Sequence, residues 1–387
     1  MNNNFKIYML ALISFLVGTS QFSIVGMLDK VAASVDVSVS TAGQLITVFA
    51  LGNAIGTPIV MVVTAKFHQR KQLILALTLI LIGTISTLVL PGFANLMAAR
   101  VILGIGTGVF VVTAYSIASK LALPGRQGGA MSNVAMGFSS SLVFGVPIGR
   151  VVAASHDWKT VFWIIGFFSL IAIVVVAMTI PALEGDSAVP LGKRLAQLKE
   201  PRVAVALAVT FFVFIGYSVV NTYITPFLTS ALPQMEENLS IILFSMGVAS
   251  LIGSRLGGFL ADRMGTSRTL FGSMVIQFVS LALLSANHNS AFFMIALLML
   301  WEIACWTFGP TQNFNLVSHA PNASGIILSL NSSFVQLGFA AGAGIGGITI
   351  GGVSVLAITW ISAASVVVAV IVAAFSIRYA PVPLKSN

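Results

Sequence analysis

Hydrophobic positions along this chain gather into long runs, and polar positions gather into the short gaps between them. The runs lie at approximately 7–28, 41–63, 73–91, 94–119, 130–152, 161–181, 203–230, 239–261, 269–286, 291–312, 325–350 and 353–378. A membrane-crossing helix needs about 20 apolar residues, and every run comes close to that length or exceeds it. Gaps containing Gly, Pro and Asn separate them. The pattern predicts an all-α membrane protein with twelve transmembrane helices. The largest hydrophilic gap, "LEGDSAVPLGKRLAQLKEPR" at 183–202, falls in the middle. It predicts two six-helix bundles, residues 1–182 and 203–387, with a cytoplasmic linker between them.

Composition excludes a water-soluble alternative. The chain has 387 residues, 57% of them hydrophobic and 7% charged, with a mean hydropathy of +1.02. A soluble domain carries about 25% charged residues, so this chain cannot cover a water-facing surface. The N-terminal stretch "MNNNFKIYMLALISFLVGTSQF" reads as a first span, since its apolar run is long and more spans follow. A single cysteine, Cys305, leaves no disulfide framework and no paired-cysteine metal or redox motif. Neither a cofactor nor a metal is expected.

The net charge of +9 would suit a nucleic-acid binder, but its distribution does not. With the N-terminus inside, inner segments carry Lys6, Lys66, Arg70, Lys71, Lys120, Arg126, Lys193, Arg194, Lys199, Arg202, Arg255, Arg263, Arg268, Arg378 and Lys385. Outer segments carry Lys30, Arg100, Arg150 and Lys159. The positive-inside rule then places both termini in the cytoplasm and accounts for the charge without an acidic partner.

An internal repeat runs through the chain. At an offset of 197 residues, "GTPIVMVVTAKFHQRK" (56–71) falls on "GSRLGGFLADRMGTSR" (253–268). Gly56 meets Gly253, Lys66 meets Arg263, and Lys71 meets Arg268. Both stretches close an even-numbered run at the inner face.

Several motifs resemble those of the major facilitator superfamily, whose parallel repeat of two six-span halves matches this plan. "GGFLADRMGTSR" (257–268) is similar to its inner-loop motif, "LMAARVILGIGTG" (96–108) to its fourth-span motif, and "GFSSSLVFGVPIG" (137–149) to the fifth-span motif of antiporters. These point to the drug/proton antiporter branch. "STAGQLITVFALG" (40–52) and "YITPFL" (223–228) resemble bacterial purine- and sugar-efflux permeases. The resemblance implies a gating set of Gly145, Pro147, Gly149, Gly257, Gly258, Asp262, Arg263 and Arg268. It also implies that Arg100 takes part in proton coupling, against the plainer role of a hydrogen bond to backbone carbonyls. Three positions depart from the pattern. Ala65 stands where the second half has Asp262, and Gln21 stands where related pumps often have a first-span glutamate. Asp29 replaces a proline that the repeat also places there, as Pro226.

The candidate chemistry lies at mid-depth. The polar residues there are Gln21, Asn53, Asn221, Gln277, Glu302 and Gln336. A buried amide is often interhelical glue worth about 0.6 kcal/mol, and Gln277 is read that way. Gln21, Asn53, Asn221 and Gln336, with Tyr115 and Tyr223, are expected to contact substrate. Glu302 differs in magnitude, because a charge at mid-bilayer costs about 2.5–3.5 kcal/mol or more. It must face a wet cavity, carry a proton, or pair. Trp306 lies one helical turn on, so the indole shares its face. Glu302 is therefore expected to bind both proton and substrate, with Trp306 beside it.

The expected function is secondary active export of a small organic solute (a drug, nucleobase, nucleoside or sugar) by proton antiport with alternating access. The alternative is a proton-independent facilitator or importer on the same fold. An enzyme is not expected, since His68, His156, His288 and His319 all fall in gaps. The chain is expected to work as a monomer in a bacterial inner membrane, with no nucleic-acid partner.

Overall fold

The computed structural model describes residues 3–123, 127–184, 199–286, 290–319 and 324–377. Most of the charged linker, and with it Arg126, Lys193, Arg194, Arg378 and Lys385 of the inner-side count, lies outside the described residues. The described residues are helical, and twelve stretches are long and apolar enough to cross a membrane. In chain order, spans 1–6 are Asn3–Gly26, Val39–Val63, Gln69–Val89, Phe93–Leu121, Ala130–Ser155 and Lys159–Thr179. Spans 7–12 are Pro201–Thr222, Pro233–Met264, Thr266–Ala286, Ala291–Ser318, Ile327–Gly352 and Val355–Ala374. All twelve overlap the apolar runs, and most ends agree to within a few residues; span 7 stops at Thr222, where the run continues to 230. Large apolar side chains such as Met178, Phe292 and Ile348 are more than three-quarters exposed. Water would penalise that exposure, and hydrocarbon does not.

The helices are interrupted where the sequence removes a backbone donor or a side chain. Span 2 winds into a π turn at Gly52–Gly56, directly before Pro58. Span 5 does the same at Ser141–Gly145, directly before Pro147. Proline has no N–H to give the preceding turn, and the wider turn takes up the mismatch. The fifth-span Gly145 and Pro147 thus flank a π turn.

Spans 1 and 7 break at matching places. Met27 (φ −134°, ψ 23°) separates span 1 from a short helix, Leu28–Ser34. Tyr223 (φ −111°, ψ 23°) separates span 7 from another, Ile224–Ala231. The two breaks lie 196 positions apart, within one residue of the sequence repeat. In both, the break residue donates back to the carbonyl three residues before it at 3.2 Å, Met27 to Ile24 and Tyr223 to Val220.

The chain forms two compact units. The first comprises Met1–Ala188, Ser218–Val248 and Phe339–Ile358, and the second comprises Val189–Tyr217, Ala249–Gly338 and Thr359–Asn387. The first has a core of Leu10, Val17, Leu73, Leu77, Phe110, Ile117 and Val176. Its helices approach closely where glycines stand. A Cβ on Gly137 would overlap the backbone of Ala11, and one on Gly104 the carbonyl of Phe49.

Candidate functional site

In the second unit, span 10 carries Glu302 into an aromatic surround. Glu302 is 4% exposed, so the carboxyl group is taken out of water. The indole of Trp306, one turn on, donates from Nε1 to Glu302 Oε1 at 2.8 Å. Span 7 brings in Tyr217, whose hydroxyl donates to the same oxygen at 3.3 Å. Trp306 Nε1 also lies 3.4 Å from that hydroxyl. Tyr217 is stacked on Trp301 at 5.5 Å between centroids, and it meets Trp306 edge-on at 6.2 Å. The rings thus fix both donors and leave them little rotational freedom.

The other carboxyl oxygen is bare. Glu302 Oε2 is buried and has no hydrogen-bond partner among the described residues. An ionised carboxylate in that position would leave a charge unpaired in a low-dielectric site. A proton on Oε2 removes the charge, and a bound cation or hydrogen-bond donor satisfies it. Glu302 is the one carboxylate buried among the described residues.

Sequence reasoning paired Glu302 with Trp306, and they are together. It missed Tyr217 and Trp301. Tyr217 stands four positions before Asn221 on the same span, so helical spacing from a residue already singled out was the available signal. Gln277, read as glue, donates to the Ala304 carbonyl of span 10 at 3.4 Å. Also missed was a network joining spans 7, 10 and 11. Gln312 donates to the Ala206 carbonyl (2.6 Å) and Thr210 (3.1 Å), and Thr210 donates to Asn331 at 2.8 Å.

The first unit holds the remaining deep charges. Arg100 lies about two turns into span 4 and is only 2% exposed. It donates to the Ser20 carbonyl at 3.1 Å and lies 5.4 Å from the ring centre of Phe162. Its Nη2 has no partner among the described residues. The hydrogen bond to a backbone carbonyl is the plainer of its two sequence readings. Arg150 of span 5 is the other, 7% exposed. Its Nη1 donates to both oxygens of Asp29, at 2.7 and 2.8 Å.

The other candidates are placed as follows. Asn53 sits on the π turn of span 2, where a Cβ on Gly108 would come within 2.8 Å of its Oδ1. Gln21 Oε1 is buried without a partner among the described residues. Asn221 is 9% exposed, while Tyr115 and Gln336 are half-buried. Tyr223 is fully buried at the break in span 7. Asp262 and Arg263 at the end of span 8 and Arg268 in the first turn of span 9 are exposed, and the Arg263 guanidinium lies 4.7 Å from the Phe259 ring centre.

Of the glycine pair in the same motif, Gly257 makes the close approach. A Cβ on it would overlap the Thr307 carbonyl of span 10, whereas a Cβ on Gly258 meets nothing within 4 Å. Gly257→Ala is expected to lower thermal stability by about 1–3 kcal/mol through overpacking, and Gly258→Ala to leave it unchanged. Thermal unfolding of the two variants in detergent measures this directly.

The profile of the Major Facilitator Superfamily matches residues 10–254 and 206–387. The chain belongs to the major facilitator superfamily. Among its relatives, a Bacillus subtilis (strain 168) protein described as "Uncharacterized MFS-type transporter YbcL" is 44% identical over 371 residues, covering 96% of this chain and 95% of that one. The "Inner membrane transport protein YdhP" of Escherichia coli (strain K12) is 27% identical over 350 residues, covering 90% of each. Two solved structures share the fold. The nucleoside transporter NupG (D323A mutant) superposes with a TM-score of 0.77 at 14% identity, covering 97% of this chain and 100% of that one. A bacterial homologue of the human lysosomal transporter Spinster, inward-facing and occupied, gives 0.75 at 16% identity and covers 97% of each. This superfamily member is a multi-pass membrane transporter with a small-molecule substrate.

Proposed function

We propose that this transporter exports a small organic solute in exchange for protons, by alternating access between its two six-span halves, with both termini in the cytoplasm of a bacterial cell. The observation that carries this reading is Glu302, a deeply buried carboxyl group with Oε1 held by Trp306 and Tyr217 and Oε2 unpartnered among the described residues. Such a group can take a proton from one side and exchange it for substrate from the other. One proton moving down 100 mV supplies about 2.3 kcal/mol, which supports about a fiftyfold concentration ratio. Half-buried Gln21 and buried Asn53 and Asn221 offer amides rather than charges, which suits a neutral hydrogen-bonding solute. A nucleobase or nucleoside fits that chemistry, and the shared fold with a nucleoside transporter makes it the first class to test.

Proteoliposomes separate the reading from its rival. Under antiport, a labelled nucleoside or nucleobase accumulates in acid-loaded vesicles, because protons leaving drive solute inward. Reversing the gradient reverses the accumulation. A facilitator, which Gln21 in place of a first-span acid favours, equilibrates solute equally under both gradients. A proton symporter accumulates it on the alkaline side, and either result overturns the proposal.

A further inference from the structure

Tyr223 occupies a socket that the sequence builds by omission. Its ring is fully buried at the break in span 7. Its hydroxyl donates to the Ala343 carbonyl at 2.9 Å and lies 3.4 Å from the Ser40 carbonyl. The walls are glycines from spans 2 and 11. A Cβ on Gly43 would overlap the hydroxyl, one on Gly346 would come 2.7 Å from the ring, and one on Gly347 would come 2.7 Å from the hydroxyl oxygen. Nearby, Ser40 donates to the Gly347 carbonyl, Thr47 to Ala340 at 3.3 Å, and Thr225 to Val25 at 3.2 Å. All these residues belong to the first compact unit. They join spans 1 and 2 from the first half of the sequence to spans 7 and 11 from the second, at the end of those helices remote from the N-terminus.

We propose that Tyr223 is the latch that holds this end of the transporter shut. Each of these contacts between the halves is neutral, and the acceptors are backbone carbonyls. Water replaces such a donor readily, and a neutral hydrogen bond contributes only modestly to net stability. The seal therefore opens without separating an ion pair. What must move is one aromatic ring, out of a hole that only glycines leave open. The latch rests on the alternating-access reading and is independent of proton coupling.

A disulfide tests it. A Cβ on Gly351 would stand 3.8 Å from that of Ser40, the usual separation in a disulfide of about 3.8 Å. The chain's one cysteine, Cys305, is buried and is first replaced by serine. In that background Ser40→Cys with Gly351→Cys is expected to cross-link under mild oxidation, read as loss of maleimide-reactive thiols. Cross-linking is expected to stop solute counterflow at equal pH on both sides, and reduction to restore it. Adding Tyr223→Ala or Gly43→Val, each checked for monodispersity by gel filtration, is expected to slow cross-linking about tenfold, equivalent to 1.4 kcal/mol. Tyr223→Phe, which keeps the ring, slows it less. Unchanged cross-linking in both Tyr223→Ala and Gly43→Val, or full counterflow by the cross-linked protein, overturns the latch. Counterflow needs no proton gradient, so failure of the antiport reading alone leaves these outcomes intact.

Discussion

Glu302→Gln is expected to abolish pH-driven accumulation while leaving the protein folded. Glutamine has the same shape, and its carbonyl oxygen can still accept from Trp306 and Tyr217, which hold Oε1 at 2.8 and 3.3 Å. Its amide nitrogen takes the place of Oε2, the atom with no partner among the described residues. The variant resembles the protonated carboxyl group in charge and cannot change state. Gradient-driven uptake should fall from up to about fiftyfold accumulation, the yield of one proton per solute at 100 mV, to simple equilibration. Counterflow at equal pH should weaken as well, because glutamine imitates the protonated form, which in this exchange is the form that has given up substrate. Both are measured in the same proteoliposome preparation. A glutamine variant with the full gradient response would remove Glu302 from proton coupling and bring the facilitator reading forward.

The twelve spans were legible because a bilayer imposes one length and one polarity on every crossing helix. Glu302 stood out for the same reason, being a charge in the middle of such a run. The repeat also showed in sequence, and the breaks at Met27 and Tyr223 fall within one residue of its offset. What stayed hidden was side-chain pairing between spans. Tyr217 and Glu302 are 85 residues apart, and Asp29 and Arg150 are 121 apart. Hydropathy carries no information on which face of one helix meets which face of another. The aromatics make this harder, since a Trp or Tyr within a span serves equally well in packing or at the membrane interface. Gly257 and Gly258 look alike in sequence, and only the approach of span 10 to one of them tells them apart.

Asp29→Asn is expected to be the most destabilising single change at the break in span 1. Arg150 is the buried partner, with an 8% exposed side chain, while Asp29 is 31% exposed. The substitution removes the counter-charge and one of the two acceptors, leaving the guanidinium with a neutral amide oxygen and a 3.5 Å contact to the Gly26 carbonyl. Breaking a fully buried pair costs about 3–5 kcal/mol, and the partial exposure of Asp29 reduces this to about 2 kcal/mol by solvent screening. Arg150→Met should cost less, because the orphaned carboxylate can reach water. The double variant should then be more stable than Asp29→Asn alone, the signature of a coupled pair. Thermal unfolding of the three variants in detergent decides it, and equal losses from both single changes would refute the asymmetry. The pair ties the two sides of the Met27 break, Gly26 and Asp29, to span 5. At the matching break in span 7, Pro226 stands in the repeat position of Asp29 and offers no carboxylate. Of two breaks built to one plan, the first is stapled by charge, and the second is held by a neutral tyrosine in a glycine socket. If one of them is to open and close in each cycle, the second is the one that does so without burying an unpaired ion.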